Sequence, residues 1–351
     1  MGRLLSCQQI RPAADREATI APGSIVPGTI APLAALRHRR HHARIMNPLR
    51  GIALKLISVL LFITMSAMIK ATSAHVPPGE AVFFRSFFAI PVILIWLAWR
   101  RELSTGLRTG NPFGHFWRGL MGTTAMGLGF AALAYLPLPE VTAIGYTAPL
   151  LTVIFAAMFL GEEVRAFRIS CVILGMVGVL IVVSPRLSVL NGGANPTEAL
   201  GAMMVLGSAV FAALAQVFVR KLVQAEQTGT IVFWFSVTAT LLSLITLPYG
   251  WVIPTGAEAA LLVTAGLLGG LGQIFLTSSY RSADASVVAP FDYASMLFAL
   301  LFGWFFFSEV PTVTMLAGAA LVISAGVLII WRERKLGIER ARQRKAMPPG
   351  S

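Results

Sequence analysis

From Leu49 to Trp331 the sequence is one apolar run after another, separated only by short polar stretches. The runs fall at 50–69, 81–99, 116–136, 139–160, 168–184, 199–220, 230–250, 258–278, 286–307 and 312–331. Each is close to the roughly 20 residues that cross a hydrocarbon layer of about 30 Å. This pattern predicts an all-α polytopic membrane protein with ten transmembrane helices. The charged residues make up 12% of the chain and the hydrophobic ones 56%. A soluble domain carries about twice that charged fraction. The connections are a few residues long, so no soluble catalytic domain is hidden between spans.

The net charge of +13 would suggest nucleic acid in a soluble protein. Here the basic residues cluster at the two ends, at Arg37, Arg39, Arg40, Arg44 and Arg50 and from Arg332 to Lys345. Clusters that flank an apolar body read as anchors against anionic lipid, and nucleic acid is not an expected partner. The predicted cytoplasmic loops hold Arg100, Arg101, Arg108, Arg165, Arg168, Arg220, Lys221 and Arg281, the outer ones little beyond Lys70 and Arg186. Both termini are then expected in the cytoplasm of an inner-membrane protein. Residues 1–45 stand apart: Pro22, Pro27 and Pro32 break their apolar part, and a basic run follows (RHRRHH, Arg37 to His42). They are expected to be either a disordered basic tail or translated upstream sequence before a start at Met46. Residues 332–351 form a basic cytoplasmic tail. Cys7 and Cys171 suggest neither a disulfide nor a metal site.

The chain matches itself. GIALKLISVLLFITMSAMIK (51–70) lies over GAMMVLGSAVFAALAQVFVR (201–220), with Gly51 on Gly201, Ser58 on Ser208 and Lys70 on Arg220. EVTAIGYTAPLLTVIFAAMFLGEEV (140–164) lies over VVAPFDYASMLFALLFGWFFFSEVP (287–311), with Tyr146 on Tyr293 and Glu162 on Glu309. The expected organisation is a five-helix repeat over 46–184 and a second over 185–331. Five is odd, so the two copies cross the membrane in opposite senses. Inverted repeats are a signature of alternating-access transporters, with the site near midplane at the repeat interface.

On these residues, from about Met46 to Trp331, the chain resembles the EamA type of the drug/metabolite transporter (DMT) superfamily. The resemblance rests on the five-plus-five plan and on the span endings FLGEEV (159–164) and FFSEVP (306–311). RGLMGTTAMGLGFAALAYLPLPEVTAI (118–144) and SADASVVAP (282–290) add to it. EAVFFRSFFAIP (80–91), followed by HFWRG (115–119), is most similar to the branch that holds bacterial S-adenosylmethionine importers. Riboflavin and amino-acid carriers share the wider family. The resemblance implies secondary transport of a small metabolite or drug, and leaves its identity open.

An ionisable group inside a span costs about 3 kcal/mol on insertion scales and is a functional candidate by default. Asp292 lies about seven residues into the ninth run, roughly 10 Å deep. An ion pair with Lys55 or Arg118, protonation, or exposure to an aqueous cavity would each make it tolerable. Its counterpart in the first repeat is Gly145, so the aspartate is not a need of the repeat itself. Tyr146 and Tyr293 offer an apolar face and a hydroxyl for gripping an amphipathic solute. Lys55, Arg85 and Arg118 enter their spans from the ends and could snorkel to water. Gln216, Gln273, Trp117 and Phe291 are weaker substrate-site candidates. Glu140 is expected to cap its own helix start or pair with Arg85. Glu162 and Glu309 are expected to be structural, accepting hydrogen bonds from the first amides of the helix that follows each. Trp304, Phe305, Phe306 and Phe307 are expected to face lipid or the outer interface. Gly122, Gly127 and Gly129, with Ala125, and the run 265–272 place small residues for close helix packing.

Three function classes remain. A membrane enzyme needs a polar constellation, but the acidic residues are scattered singly and no histidine lies inside a run. A channel needs a pore helix or filter loop, and none stands out. No lysine follows a glycine, so there is no P-loop. The favoured class is a secondary transporter of a small amphipathic or cationic solute, such as S-adenosylmethionine or an amino acid. It is expected to work by rocking of two five-helix halves, needing neither cofactor nor metal. Coupling to a proton or a counter-solute is open. So is a homodimer through the fifth and tenth spans, which otherwise pack on the outside.

Overall fold

The computed structural model describes residues 48–160, 166–187, 195–222, 225–283 and 285–346. The expectations for residues 1–45 and for Glu162 fall outside these. Helices carry the whole fold among the described residues. The first repeat comprises α1 (Pro48–Thr72), α2 (Pro78–Phe87), α3 (Ala89–Trp99), a single turn α4 (Leu103–Gly106), α5 (Pro112–Ala132), α6 (Leu138–Gly145), α7 (Thr147–Leu160) and α8 (Ala166–Leu187). The second comprises α9 (Pro196–Leu222), α10 (Thr228–Leu244), α11 (Gly256–Ser282), α12 (Ala285–Val288), a 3-10 segment (Ala289–Tyr293), α13 (Ala294–Phe307) and α14 (Val313–Ala346).

Eight of the apolar segments are long and apolar enough to cross a membrane. The third and seventh positions fall short for different reasons. Helix α5 carries His115, Arg118 and five glycines, which dilute its hydropathy. Helix α10 stops at 17 residues, and the chain leaves it through a 3-10 turn at Leu247–Tyr249 and a left-handed Gly250 (φ 91). Three spans are broken rather than straight. A proline ring clashes with the carbonyl four residues earlier. Pro91 therefore ends α2 at Phe87, and Pro149 ends α6 at Gly145. In the ninth span Pro290 sits in the first turn of the 3-10 segment, which delays the α-helix to Ala294. The last helix does not stop at the end of the tenth run. It continues to Ala346, because WRERKLGIERARQRKA is made largely of strong helix formers.

Two starts are fixed locally. Asn111 accepts from the Gly114 N–H at 2.9 Å and caps α5. Thr255 and Glu258 form a reciprocal capping box at α11.

The described residues pack as one compact unit. The most extensive helix interfaces run between the repeats: α1 along α11, α5 along α9, and α8 along α14. By repeat order α1 corresponds to α9 and α5 to α11, so the first two interfaces are one interface made twice. The halves of the sequence are therefore not bodies in space, and rocking of one five-helix half against the other does not fit this packing. In the third interface two glycines meet reciprocally. A Cβ at Gly178 would lie 2.8 Å from the Gly318 carbonyl oxygen, and one at Gly318 2.6 Å from that of Gly178. The fifth and tenth spans thus use their glycine faces on each other, within the chain. Elsewhere the bundle shows lipid-like residues outward: Ile95, Trp99, Leu180, Trp304, Phe305 and Phe306 are exposed. Phe307 is half-buried, with Lys70 Nζ 5.5 Å from its ring centre.

Candidate functional site

The breaks at Gly145 and at Ala289–Tyr293 are repeat-equivalent, and the chemistry collects there. Tyr146 sits in the gap between α6 and α7, and Tyr293 closes the 3-10 segment before α13. Their rings meet edge to face, 5.0 Å between centres. The Tyr146 hydroxyl is 2.6 Å from Ser295 Oγ and 3.3 Å from the Tyr293 carbonyl. Ser295 Oγ in turn donates to the Asp292 carbonyl at 2.7 Å. One hydroxyl of the first repeat is thereby tied to the broken backbone of the second. Tyr293 has room to stand only because position 326 of α14 is a glycine, whose missing Cβ its hydroxyl would overlap.

Beside this pair Lys55 Nζ holds Asp292 Oδ1 at 2.6 Å. Of the arrangements open to Asp292 in the sequence, the one seen is an ion pair with Lys55 at the wall of a cavity. The two partners are unequally placed. The Lys55 side chain is 2% accessible, that of Asp292 49%. Asp292 nevertheless lies deep in the bundle, and the surface it shows is cavity wall. That cavity measures about 560 Å³, and Phe62, Tyr146, Gln216, Asp292, Tyr293 and Ser295 are among its lining. Its size lies in the range of small-molecule sites. A second cavity, of about 380 Å³, is lined by Ser66, Arg118, Thr142, Ser208 and Gln216. Ala212 and Gln216 line both. Gln216, a weaker candidate in the sequence, thus contributes to the wall of both spaces.

Other candidates go elsewhere. Arg85 does not snorkel: it is 4% exposed, and its guanidinium faces the ring of Phe235 at 5.6 Å. Arg118 lies over the same ring at 3.5 Å. Long stems pointing inward from two helices bring together charges that the sequence placed at opposite ends. Gln273 and Trp117 line neither cavity; Trp117 packs edge to face on Phe113 and Phe116. Glu140 pairs not with Arg85 but with Arg186, through bonds of 3.0 and 2.7 Å, and Arg186 also holds Glu198. Glu309 does meet a helix start, though not that of the helix after it. Its Oε2 accepts from the Leu138 N–H of α6 at 2.9 Å, and its Oε1 pairs with Lys70 at 2.9 Å. Lys70 adds bonds to the carbonyls of Leu133 and Leu136. The tight LPLP turn, which leaves those carbonyls free, supplies a better-placed partner than the next helix does.

Sequence reasoning missed a cluster between the two repeats. The Glu226 carboxylate, in the turn before α10, accepts from His115 Nε2 at 2.6 Å, from the amides of Gly110 and Asn111, and from the Thr109 hydroxyl. Burial pushes this carboxyl up, but the bonds from Thr109 and His115 outweigh it and hold it below its ordinary value. Its signal was weak: a histidine at a span edge and one glutamate in a polar turn. The prolines at 91, 149 and 290 were a stronger signal, marking the broken spans directly. No group of three or more potential metal-ligating side chains occurs among the described residues.

Comparison with known proteins adds to this geometry. The profile of the EamA-like transporter family matches twice, over residues 49–184 and 199–331. The chain belongs to the EamA-like transporter family. Both repeats of this EamA protein are thus accounted for within a multi-pass transporter of the DMT superfamily. It is 33% identical to the pseudopaline exporter of Pseudomonas aeruginosa over 280 residues, 80% of this chain and 95% of that one. It is 30% identical to the riboflavin transporter of Rhizobium johnstonii over 291 residues, 82% and 90% of the two chains. It is also 29% identical to the S-adenosylmethionine uptake transporter of Rickettsia felis over 287 residues, 82% and 94%. A crystal structure of a protein of 21% sequence identity superposes with a TM-score of 0.59, covering 82% of this chain and 98% of its own, and shares the fold.

Proposed function

We propose that this EamA protein moves a small amphipathic solute bearing a protonated amine by alternating access, without changing it chemically. The observation that carries this reading is the Lys55–Asp292 pair at the wall of the 560 Å³ cavity. Lys55 is sealed in protein and neutralises Asp292 from behind, while half of the aspartate side chain remains open to the cavity. An incoming amine can bond to that open side, and the tyrosine rings offer its apolar part a flat surface. An amine or proton bound there changes the charge Lys55 must balance, which gives coupling to a proton or counter-solute a physical basis.

The packing supports a particular motion. Both cavities are lined by α1 and α9, one helix from each of the crossed pairs α1 with α11 and α5 with α9. Moving one crossed pair against the other opens the cavity while each pair keeps its own interface. The breaks at Pro91, Pro149 and Pro290 are where such motion is absorbed. The basic residues at Arg100, Arg101, Arg108, Lys221 and the carboxyl end support an inner-membrane orientation with both termini inside.

The test is a thermal-shift screen of purified protein against amino acids, polyamines, sulfonium nucleosides and flavins, followed by counterflow of each hit in proteoliposomes. A ligand at 100 times its Kd adds about 2.7 kcal/mol if it binds only the folded state. Hits that carry an amine, are exchanged across the bilayer and are lost in Asp292→Asn are expected. Stabilising solutes that are never exchanged would rule transport out.

A further inference from the structure

Arg85 on α2 and Arg118 on α5 present their guanidinium groups to one buried ring, Phe235 on α10, at 5.6 and 3.5 Å. Two like charges thus share one buried ring. On each of them, Nε and Nη1 are buried without a hydrogen-bond partner. Neither is in an ion pair among the described residues. A ring face offsets only about 0.5–2 kcal/mol of such a charge, far less than an unpaired buried ion costs. Among the described residues, carboxylates set within the bundle are engaged elsewhere: Glu80 takes the Val252 N–H, Glu140 holds Arg186, Asp292 holds Lys55 and Glu226 holds His115. The seat itself is shaped by glycines. A Cβ at Gly122 would lie 2.8 Å from Phe235 Cε2 and 3.5 Å from Arg118 Nη1, and one at Gly269 3.3 Å from Arg85 Nε. Arg118, though not Arg85, lines the smaller cavity, which shares the wall residues Ala212 and Gln216 with the larger one.

We infer that Arg85 and Arg118, set around Phe235, form a receptor for an oxyanion at one end of the transported solute. Two guanidinium groups with free N–H donors match the planar, multidentate geometry of a carboxylate or a phosphate. The proposal rests on the transporter reading above for what arrives there, and it narrows the substrate class. The solute is a zwitterion: its amine lies at Asp292, its oxyanion at the arginines, and its middle passes Gln216.

The test uses the full-length protein in detergent, titrated with sodium formate and, separately, with inorganic phosphate, at ionic strength fixed with sodium chloride. Wild type is expected to show saturable thermal stabilisation. In Arg118→Gln and Arg85→Gln the apparent affinity should fall by about tenfold or more, the loss of one charge-assisted contact. Arg118→Lys, which keeps the charge and the fold but loses the fork, should fall between. A response to formate alone assigns a carboxylate, and one to phosphate alone assigns a phosphate ester. Asp292→Asn should keep the anion response while losing amine ligands, so failure of the amine site and of the oxyanion site are read separately. No saturable response in wild type, or one undiminished in Arg118→Gln and Arg85→Gln, overturns the proposal. Intact anion binding without counterflow of any bound zwitterion would instead count against transport.

Discussion

At the scale of single residues, the molecule keeps its ionic side chains by pairing them unequally. Lys55 is sealed and Asp292 is half open to a cavity. Removing the lysine leaves a carboxylate without its counter-ion at the cavity wall. We expect Lys55→Met to cost about 2–3 kcal/mol, at the lower edge for a broken buried pair because cavity water still reaches Asp292. The double variant Lys55→Met with Asp292→Asn should recover most of that loss, while amine binding, which needs the aspartate, is absent from it. Thermal unfolding in detergent, with ligand titration, measures each. A double variant no more stable than the single one would show that Lys55 matters through something other than its pairing with Asp292. The pairing was half legible in the sequence. A short-stemmed acid ten ångströms deep requires company, and Lys55 was among the partners considered. That Arg85 and Arg118 turn inward was not legible, because a long side chain near a helix end can run either way and only the packing of Phe235 decides.

At the scale of helices, glycine acts by subtraction. Gly178 and Gly318 let two backbones touch. We expect Gly178→Ala to destabilise by about 1–3 kcal/mol, since the carbonyl of Gly318 has nowhere to go. Gly127, in the body of α5, meets nothing within 4 Å of the position a Cβ would take. Gly127→Ala should therefore be neutral or gain about 0.5–1 kcal/mol from helix propensity alone. Melting temperatures of the two variants side by side test the contrast, and equal losses would refute it. Hydropathy gave the spans because lipid leaves so few ways to satisfy a backbone. It missed that three of them are broken, because hydropathy averages over a proline that geometry cannot ignore. It also overextended the seventh, whose run to residue 250 is apolar beyond Leu244 but contains Pro248 and a left-handed Gly250.

At the scale of the whole molecule, the repeats are joined by clasps as well as by helix faces. Glu226 gathers the loop before α5 onto the turn before α10. Its carboxyl is held below the ordinary value of 4.5 in the folded protein. The stability it contributes is therefore complete above that ordinary value and is lost as pH falls through the lowered one. We expect Glu226→Gln to melt lower than wild type at neutral pH, and the gap between the two to close as the medium is acidified below pH 4.5. A gap constant with pH would mean that the clasp works through shape rather than charge. The crossed pairing of helices has a further consequence, in the order of synthesis. Ser58 of α1 donates to the carbonyl of Gly272 in α11, a partner 214 residues further along the chain. At about 5–20 residues per second, α1 waits roughly 10–40 s in the membrane before the helix that covers its largest face is even made. Until then lipid, or an insertion chaperone, must stand in for α11. Half a chain is thus a protein still missing its largest partners.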